Sequence, residues 1–192
     1  MNPVERVIAL TEALLLEKSP VILALDGMAA AGKTTEADEL SAYFRAPVVR
    51  MDDFFLPQPL RTPERLSEPG GNVHYERFAA EVLPGLTAGR AFDYRRFDCG
   101  LMAYGARVLI PAAPVVIVEG AYAMHPCFGK YWDLGVFFAV SPEEQERRIR
   151  RRNGAEGWER FRTRWIPLEN RYHAACRTAE QADIVITAAP LP

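Results

Sequence analysis

The sequence predicts a layered α/β fold around a parallel sheet, and two observations carry the prediction. Five short runs are aliphatic with no polar alternation, as in strands covered on both faces. Helical patterns separate several of them, as right-handed crossovers between parallel strands require. At 192 residues the chain has the length of one domain over 1–192, enough to bury about 70% of the surface its unfolded form exposes.

Taken in order, residues 3–17 place Val4, Val7, Ile8, Leu14 and Leu15 near helical spacing, an amphipathic helix that Ser19-Pro20 ends. VILALD at 21–26 is the first strand. PVVRMD at 47–52, PVVIVEG at 114–120, DLGVFFAV at 133–140 and ADIVIT at 182–187 are the others. Residues 53–113 are dense in proline and glycine and read as a loop-rich insertion. Within it, YERFAAEVLPGL is a short helix with Phe78, Val82 and Leu86 on one face. Residues 141–180 are helical and rich in arginine. Ser141 is the N-cap there, Pro142 the first helical residue and Glu144 the partner in a capping box. Trp158, Phe161, Trp165, Leu168 and Tyr172 recur at helical spacing and read as a core stripe rather than a ligand-stacking surface.

Composition narrows the partners. A net charge of −2 and a pI near 6.0 give no reason to expect bulk nucleic-acid or anionic-membrane binding. No apolar run approaches the ~20 residues that span a bilayer, and the N-terminus lacks a signal-peptide pattern. Cys99, Cys127 and Cys176 are odd in number, widely spaced and free of any Cys-x-x-Cys pair, so they read as free thiols of a cytoplasmic protein. His74, His125 and His173 show no metal-ligand spacing. Homo-oligomerisation stays open.

The chemistry concentrates in LDGMAAAGKTTEADEL, residues 25–40. Gly27, Met28, Ala29, Ala30, Ala31, Gly32, Lys33 and Thr34 complete the P-loop pattern Gly-x-x-x-x-Gly-Lys-Thr, with an apolar strand before it and a helix former after it. Small residues let successive backbone N–H groups wrap phosphate oxygens, Lys33 reaches the β- and γ-phosphates, and the Thr34 hydroxyl ligates Mg²⁺. The helix carrying Thr35 adds its positive N-terminal end. The expected ligand is ATP with Mg²⁺. No Asn-Lys pair exists to begin the guanine-reading Asn-Lys-x-Asp, which argues against a GTPase.

Acids mark two other strand ends. RMDDFFLP brings Asp52 and Asp53 to the C-terminal end of a parallel strand, where ligands bind in such sheets. One of them would orient or deprotonate an acceptor hydroxyl, and Asp53 would face the metal waters or cap the following turn. Glu119 ends the apolar VVIVEG, where an unpaired carboxylate is costly. Either structural hydrogen bonds or the Mg²⁺ shell, through a water, would compensate it.

Arg147, Arg148, Arg150, Arg151, Arg152, Arg160, Arg162 and Arg164 fall within 18 residues, interrupted by NGAEG. Glu143–Arg147, Glu144–Arg148 and Glu146–Arg150 have the i,i+4 spacing of pairs on a solvated helix. Their density around a glycine-bearing break favours a hinged lid, about 148–164, that closes on a polyphosphate through Arg148, Arg152 and Arg160.

Together GMAAAGKT, MDDFF, GNVHYERF, VIVEGAYAMHP, YWDLGVFFAVSPEEQERRIRRRN and ADIVI, from about residue 20 to 187, resemble the uridine kinase-like P-loop kinases. Phosphoribulokinase and bacterial pantothenate kinase belong to the same group. The resemblance implies a three-layer α/β/α sandwich with a five-stranded parallel sheet of order 2-3-1-4-5. It also implies ATP-dependent phosphorylation of a hydroxyl, with Asp52 as base, Glu119 assisting the metal, and Arg148 and Arg152 opening the lid. Three departures touch the acceptor side. Phe55 replaces the motif's tyrosine, GNVHYERF offers Asn72 and His74 but no aligned ribose-binding aspartate, and FDYRRFDCG lacks the uracil-reading histidine.

The favoured function is a kinase for a hydroxyl of a small, nucleoside-like metabolite. One alternative is an ATP-binding regulator with slow hydrolysis, which would not need Asp52 beside an acceptor pocket. Another is a kinase for a pantothenate-, sugar- or glycerate-like acceptor. A nucleotide kinase would draw its basic acceptor site from Arg61, Arg65, Arg77, Arg95 and Arg96.

Overall fold

The computed structural model describes residues 3–189. Helix α1 (Pro3–Leu15) leads into strand β1 (Val21–Gly27), helix α2 (Lys33–Phe44) and strand β2 (Val48–Arg50). The insertion contributes α3 (Pro63–Ser67), α4 (Tyr75–Glu81), α5 (Leu83–Thr87) and a hairpin of β3 (Phe92–Asp98) and β4 (Ala103–Ile110). Strand β5 (Val115–Glu119), strand β6 (Leu134–Ala139), helix α6 (Pro142–Arg160), helix α7 (Ile166–Cys176), helix α8 (Thr178–Gln181) and strand β7 (Ile184–Thr187) complete the chain.

The main sheet runs β2-β5-β1-β6-β7 and every pairing in it is parallel. Counting only these five strands in chain order gives 2-3-1-4-5, the order the resemblance implies. Every residue of β1 and β5 is buried. Along β1 the side chains alternate between two cores, as the two-residue period of a strand dictates. Val21, Leu23 and Leu25 meet Val7, Ala37 and Leu40 of α1 and α2, while Ile22 and Ala24 join Phe78, Tyr94 and Tyr172 on the opposite face.

Four elements depart from the sequence reading, each for a local reason. Strand β2 stops at Arg50, and Met51–Phe54 turn into a single 3-10 turn. Here the backbone oxygen of Asp53 is drawn toward Arg77 of α4 and its carboxylate toward Tyr94 and Arg96 of the hairpin. The helix expected over 75–86 breaks at Val82, because Pro84 supplies no N–H to continue it. Phe78, Val82 and Leu86 are nonetheless all buried. The hairpin had no clear period to betray it: a bulge between Arg95 and Phe97 shifts its register, and β4 is exposed along most of its length. In the arginine-rich region, α6 is interrupted at Gly154, where φ is 71°, and Phe161–Trp165 form a π-helical turn before α7. The Ser141 hydroxyl accepts from the Glu144 N–H as the cap requires.

Candidate active site

The P-loop begins where β1 can no longer carry side chains. A Cβ on Gly27 would lie 2.2 Å from the Phe138 carbonyl oxygen of neighbouring β6, and its φ of 137° is one that only glycine adopts freely. Residues 28–32 then turn back into α2, whose first residue is Lys33. Lys33 is buried, and its ammonium donates to the carbonyls of Gly27 and Met28, both at 2.8 Å. Thr34 donates its hydroxyl to Glu119 Oε1 at 3.1 Å, which joins the second residue of α2 to the end of β5.

The C-terminal helices hold the outer side of the loop. Gln145 donates to the Ala29 carbonyl at 2.9 Å, and Arg148 donates to the Ala30 carbonyl at 3.1 Å. From α7, Glu169 accepts the Ala29 N–H at 2.7 Å. Two cavities meet over the loop. The larger, 310 Å³, is floored by Lys33, Thr34, Asp52 and Glu119 and walled by Phe55, Phe161 and Trp165. The smaller, 210 Å³, is lined by Gly32, Thr35 and Arg148, and it shares Ala30, Lys33, Thr34 and Arg152 with the first.

No model of a known protein family matches the chain, and no curated protein does. Solved structures do. A protein described as a possible uridine kinase from Bacillus stearothermophilus aligns over 95% of this chain and 97% of its own at a TM-score of 0.70, with 19% identity. A proposed fructose transport system kinase from Silicibacter sp. aligns over 97% and 99% at 0.65, with 22% identity. The Saccharomyces cerevisiae protein YFH7, described as a P-loop-containing kinase with a circular permutation, aligns over 97% and 98% at 0.66, with 14% identity.

The chain has the fold of the uridine kinase-like P-loop kinases.

Within that kinase fold the site residues expected from sequence divide into those brought together and those kept apart. Ala29, Ala30, Lys33, Thr34, Asp52, Glu119 and Arg152 all line the larger cavity. Arg148 and Arg152 face the smaller one, where α6 passes the loop. Arg148 is steadied by Glu144 at 2.6 Å, and Arg152 by the Asn153 side chain at 2.8 Å. Arg160 lines neither cavity and is exposed.

Asp53, expected near the metal, lines neither cavity. Its carboxylate accepts from Tyr94 at 2.9 Å and Arg96 at 2.7 Å, and its backbone oxygen accepts from Arg77, so the buried residue anchors the hairpin. The aromatic stripe is also divided. Trp158 and Tyr172 are core, whereas Phe161 and Trp165 are half-buried walls of the cavity.

Charge is distributed unevenly. Asp52 is reached by water from the cavity, yet protein surrounds it on most sides. Burial raises its carboxyl above the ordinary range, and Glu119 adds to this while Lys33 opposes it. Burial lifts Glu169 to about 7, against the pull of Lys33 and the Ala29 N–H. Glu119 also receives Arg50 at 2.7 Å, and Arg50 reaches Asp38 at 2.5 Å.

Several residues of the site escaped the sequence reading. Asp26 is fully buried and accepts from the backbone of Gly27, Tyr122 and Met124 and from the Tyr172 hydroxyl. It fixes the start of the P-loop to the segment after β5 and to α7. Its signal was available, because it is an acid at the end of an apolar strand, as Glu119 is. Arg50, Gln145 and Glu169 gave no such signal, since each is an ordinary polar residue until the fold sets it beside the loop.

Proposed function

We propose that this protein is an ATP-dependent kinase that transfers a phosphoryl group to a hydroxyl of a small, nucleoside-like metabolite. The observation that carries this reading is the sharing of Lys33 and Thr34 between two cavities while Asp52 lines only the larger. The polyphosphate takes the P-loop junction, and the acceptor takes the walled cavity with Asp52 at its floor. A regulator that only hydrolyses ATP has no use for that second compartment.

The residues present fit a magnesium ion brought in with the nucleotide. Mg²⁺ takes oxygen ligands, commonly one or two from protein and the rest from phosphates and water. The Thr34 hydroxyl and the Glu119 carboxylate, already in contact, are such a pair. Among the described residues no larger metal-ligating cluster occurs. When bound, the ion would neutralise charge on the transferring group. Lys33 and the P-loop amides would bind the phosphates, with Arg148 and Arg152 closing over them. Asp52 would orient the acceptor hydroxyl and take its proton late, since the transition state of phosphoryl transfer is loose. Phe55, Phe161 and Trp165 would exclude water and bound a flat ring.

A phosphorylated acceptor is the weaker reading. None of the five insertion arginines that could have served it lines the cavity. Arg65 is committed to Glu76, Arg77 and Arg96 to Asp53, Arg61 to the Leu56 carbonyl and Arg95 to the Tyr104 carbonyl. The test is ADP release with MgATP across nucleosides, vitamin precursors, sugars and sugar acids. Release stimulated well above the acceptor-free rate by one compound supports the kinase. An acceptor-independent rate that no compound raises would return the chain to the regulator reading.

A further inference from the structure

The acceptor end of the larger cavity holds more polar capacity than phosphoryl transfer uses. Asn72 is 3% exposed, and it lines the cavity with neither amide atom in a hydrogen bond. It neighbours Tyr122, but no contact of bonding geometry satisfies it. A buried amide without hydrogen bonds is costly, so such groups are rare unless something arrives to meet them.

Glu169 stands in the same cavity as a second unused group. One carboxylate oxygen is held by the Ala29 N–H, which fixes the side chain in place. Among the described residues no lysine, arginine or histidine pairs with it. Among the described residues the cations lining the cavity are Lys33 and Arg152, and both also line the polyphosphate cavity. Against those two cations the cavity sets three acids, Asp52, Glu119 and Glu169, beside aromatic faces from Phe55, Phe161 and Trp165. An anionic acceptor would meet like charge there, offset by two cations that also serve the polyphosphate. A cation would meet a buried carboxylate and the negative faces of aromatic rings.

We infer that the acceptor is an alcohol bearing a positively charged nitrogen, seated with that nitrogen on Glu169 and with a neighbouring polar group on Asn72. This rests on the kinase reading above and narrows it. Burial, which raises Glu169 to about 7, agrees with a carboxyl waiting for a cation, since a buried carboxylate is easiest to ionise when one is brought to it. Asn72 can both donate and accept, so it suits a hydroxyl or amide placed beside the charged nitrogen.

The experiment compares matched acceptors that differ only in charge: an amino sugar, its parent sugar and its acid, and an aromatic amino alcohol with its neutral and carboxylated counterparts. ADP release is measured for each with MgATP, and binding of each without nucleotide is followed by Trp fluorescence. The expected result is a preference of about ten- to a hundred-fold in kcat/KM for the ammonium member of a set over its neutral counterpart, the range of a charged hydrogen bond. Glu169→Gln keeps an oxygen for the Ala29 N–H but removes the charge. It should raise KM for the ammonium member by a similar factor, leave kcat within a few-fold, and erase the preference. Should Glu169→Gln fail to fold, the wild-type comparison decides by itself. A wild-type preference for the neutral or anionic member overturns this inference and leaves the kinase standing. Binding of the ammonium member without any transfer supports the cation site while overturning the kinase. Neither binding nor transfer with any member overturns both.

Discussion

The P-loop edge of the cavity and its acceptor edge are built to opposite rules. On the P-loop edge the buried polar groups have partners. Asp26 accepts four hydrogen bonds, Lys33 rests on two carbonyls, and Glu119 joins Thr34 to Arg50. On the acceptor edge Asn72 has no hydrogen-bond partner among the described residues, and Glu169, which spans from that cavity to the loop, is met by one backbone N–H. The first edge sits on the ends of buried parallel strands, which fix positions to within a register. The second is assembled from a turn, an inserted segment and a broken helix. A site that must hold the same triphosphate each turnover gains from the first kind of construction. One that must recognise a particular metabolite keeps its polar groups unspent until that metabolite supplies the partners.

The sharpest break in this contrast is Lys33→Ala. Among the described residues no other lysine lines either cavity, and the arginines nearby are held by other groups, so phosphoryl transfer should fall to background and ATP binding should weaken. Steady-state ADP release and nucleotide titration measure both. A variant turning over at the wild-type rate would remove the P-loop assignment.

Asp52→Asn comes next. The amide keeps the shape but cannot take a proton, so kcat should fall by about 10²–10⁴ with ATP affinity held within a few-fold. Asp53→Asn should leave kcat much closer to wild type and lower the melting temperature instead, because Asp53 ties the hairpin to the turn through Tyr94 and Arg96. Kinetics that reverse the two, with Asp53→Asn the dead enzyme, would put the base one residue further along.

Glu169 sharpens the comparison through pH. Its carboxyl lies at about 7 in the fold against an ordinary 4.5, so between those values the folded chain holds a proton that the unfolded chain has lost. Stability therefore falls as pH rises through that window. Relative to Glu169→Gln, the wild type should be at its best below pH 4.5 and should lose up to about 3 kcal/mol by the time pH passes 7. Denaturant midpoints of the two proteins at several pH values test it. A difference that stays flat with pH contradicts the raised carboxyl.

The same division decides what could be read from sequence. Strands buried on both faces write themselves as unbroken aliphatic runs, so the five strands and the P-loop are legible in the sequence, while the strand order came only with the family resemblance. Acids in those runs are legible too: Glu119 ends one such run, and Asp26 carries the same signal at the end of β1. The hairpin was not legible, because its exposed β4 and bulged β3 leave no period to detect. Nor was Glu169. Its importance lies wholly in a contact 140 positions back in the chain, with Ala29, and no local pattern encodes that.

The smallest effect separates two arginines that the sequence grouped together. Arg152 lines both cavities from the end of the first half of α6, just before the Gly154 break, whereas Arg160 lies beyond the break and lines neither. Gly154 has open space around the position a Cβ would take and a φ of 71°, so the break is a matter of backbone conformation and not of crowding. If the segment beyond it swings in when nucleotide binds, Arg160 can arrive; if the helix stays as it is, it cannot. We expect Arg152→Ala to cost about ten-fold in kcat/KM for ATP, the order of one charge-assisted contact to phosphate, and Arg160→Ala to stay within about two-fold. Hydrogen exchange across residues 148–164 with a non-hydrolysable ATP analogue and Mg²⁺ reads the motion directly. Slowed exchange up to 153 but not beyond it would accompany that kinetic pattern. Slowed exchange through 160, with Arg160→Ala as damaging as Arg152→Ala, would mean that the half of the lid beyond Gly154 closes as the sequence suggests, and that the position of Arg160 seen here is the open one.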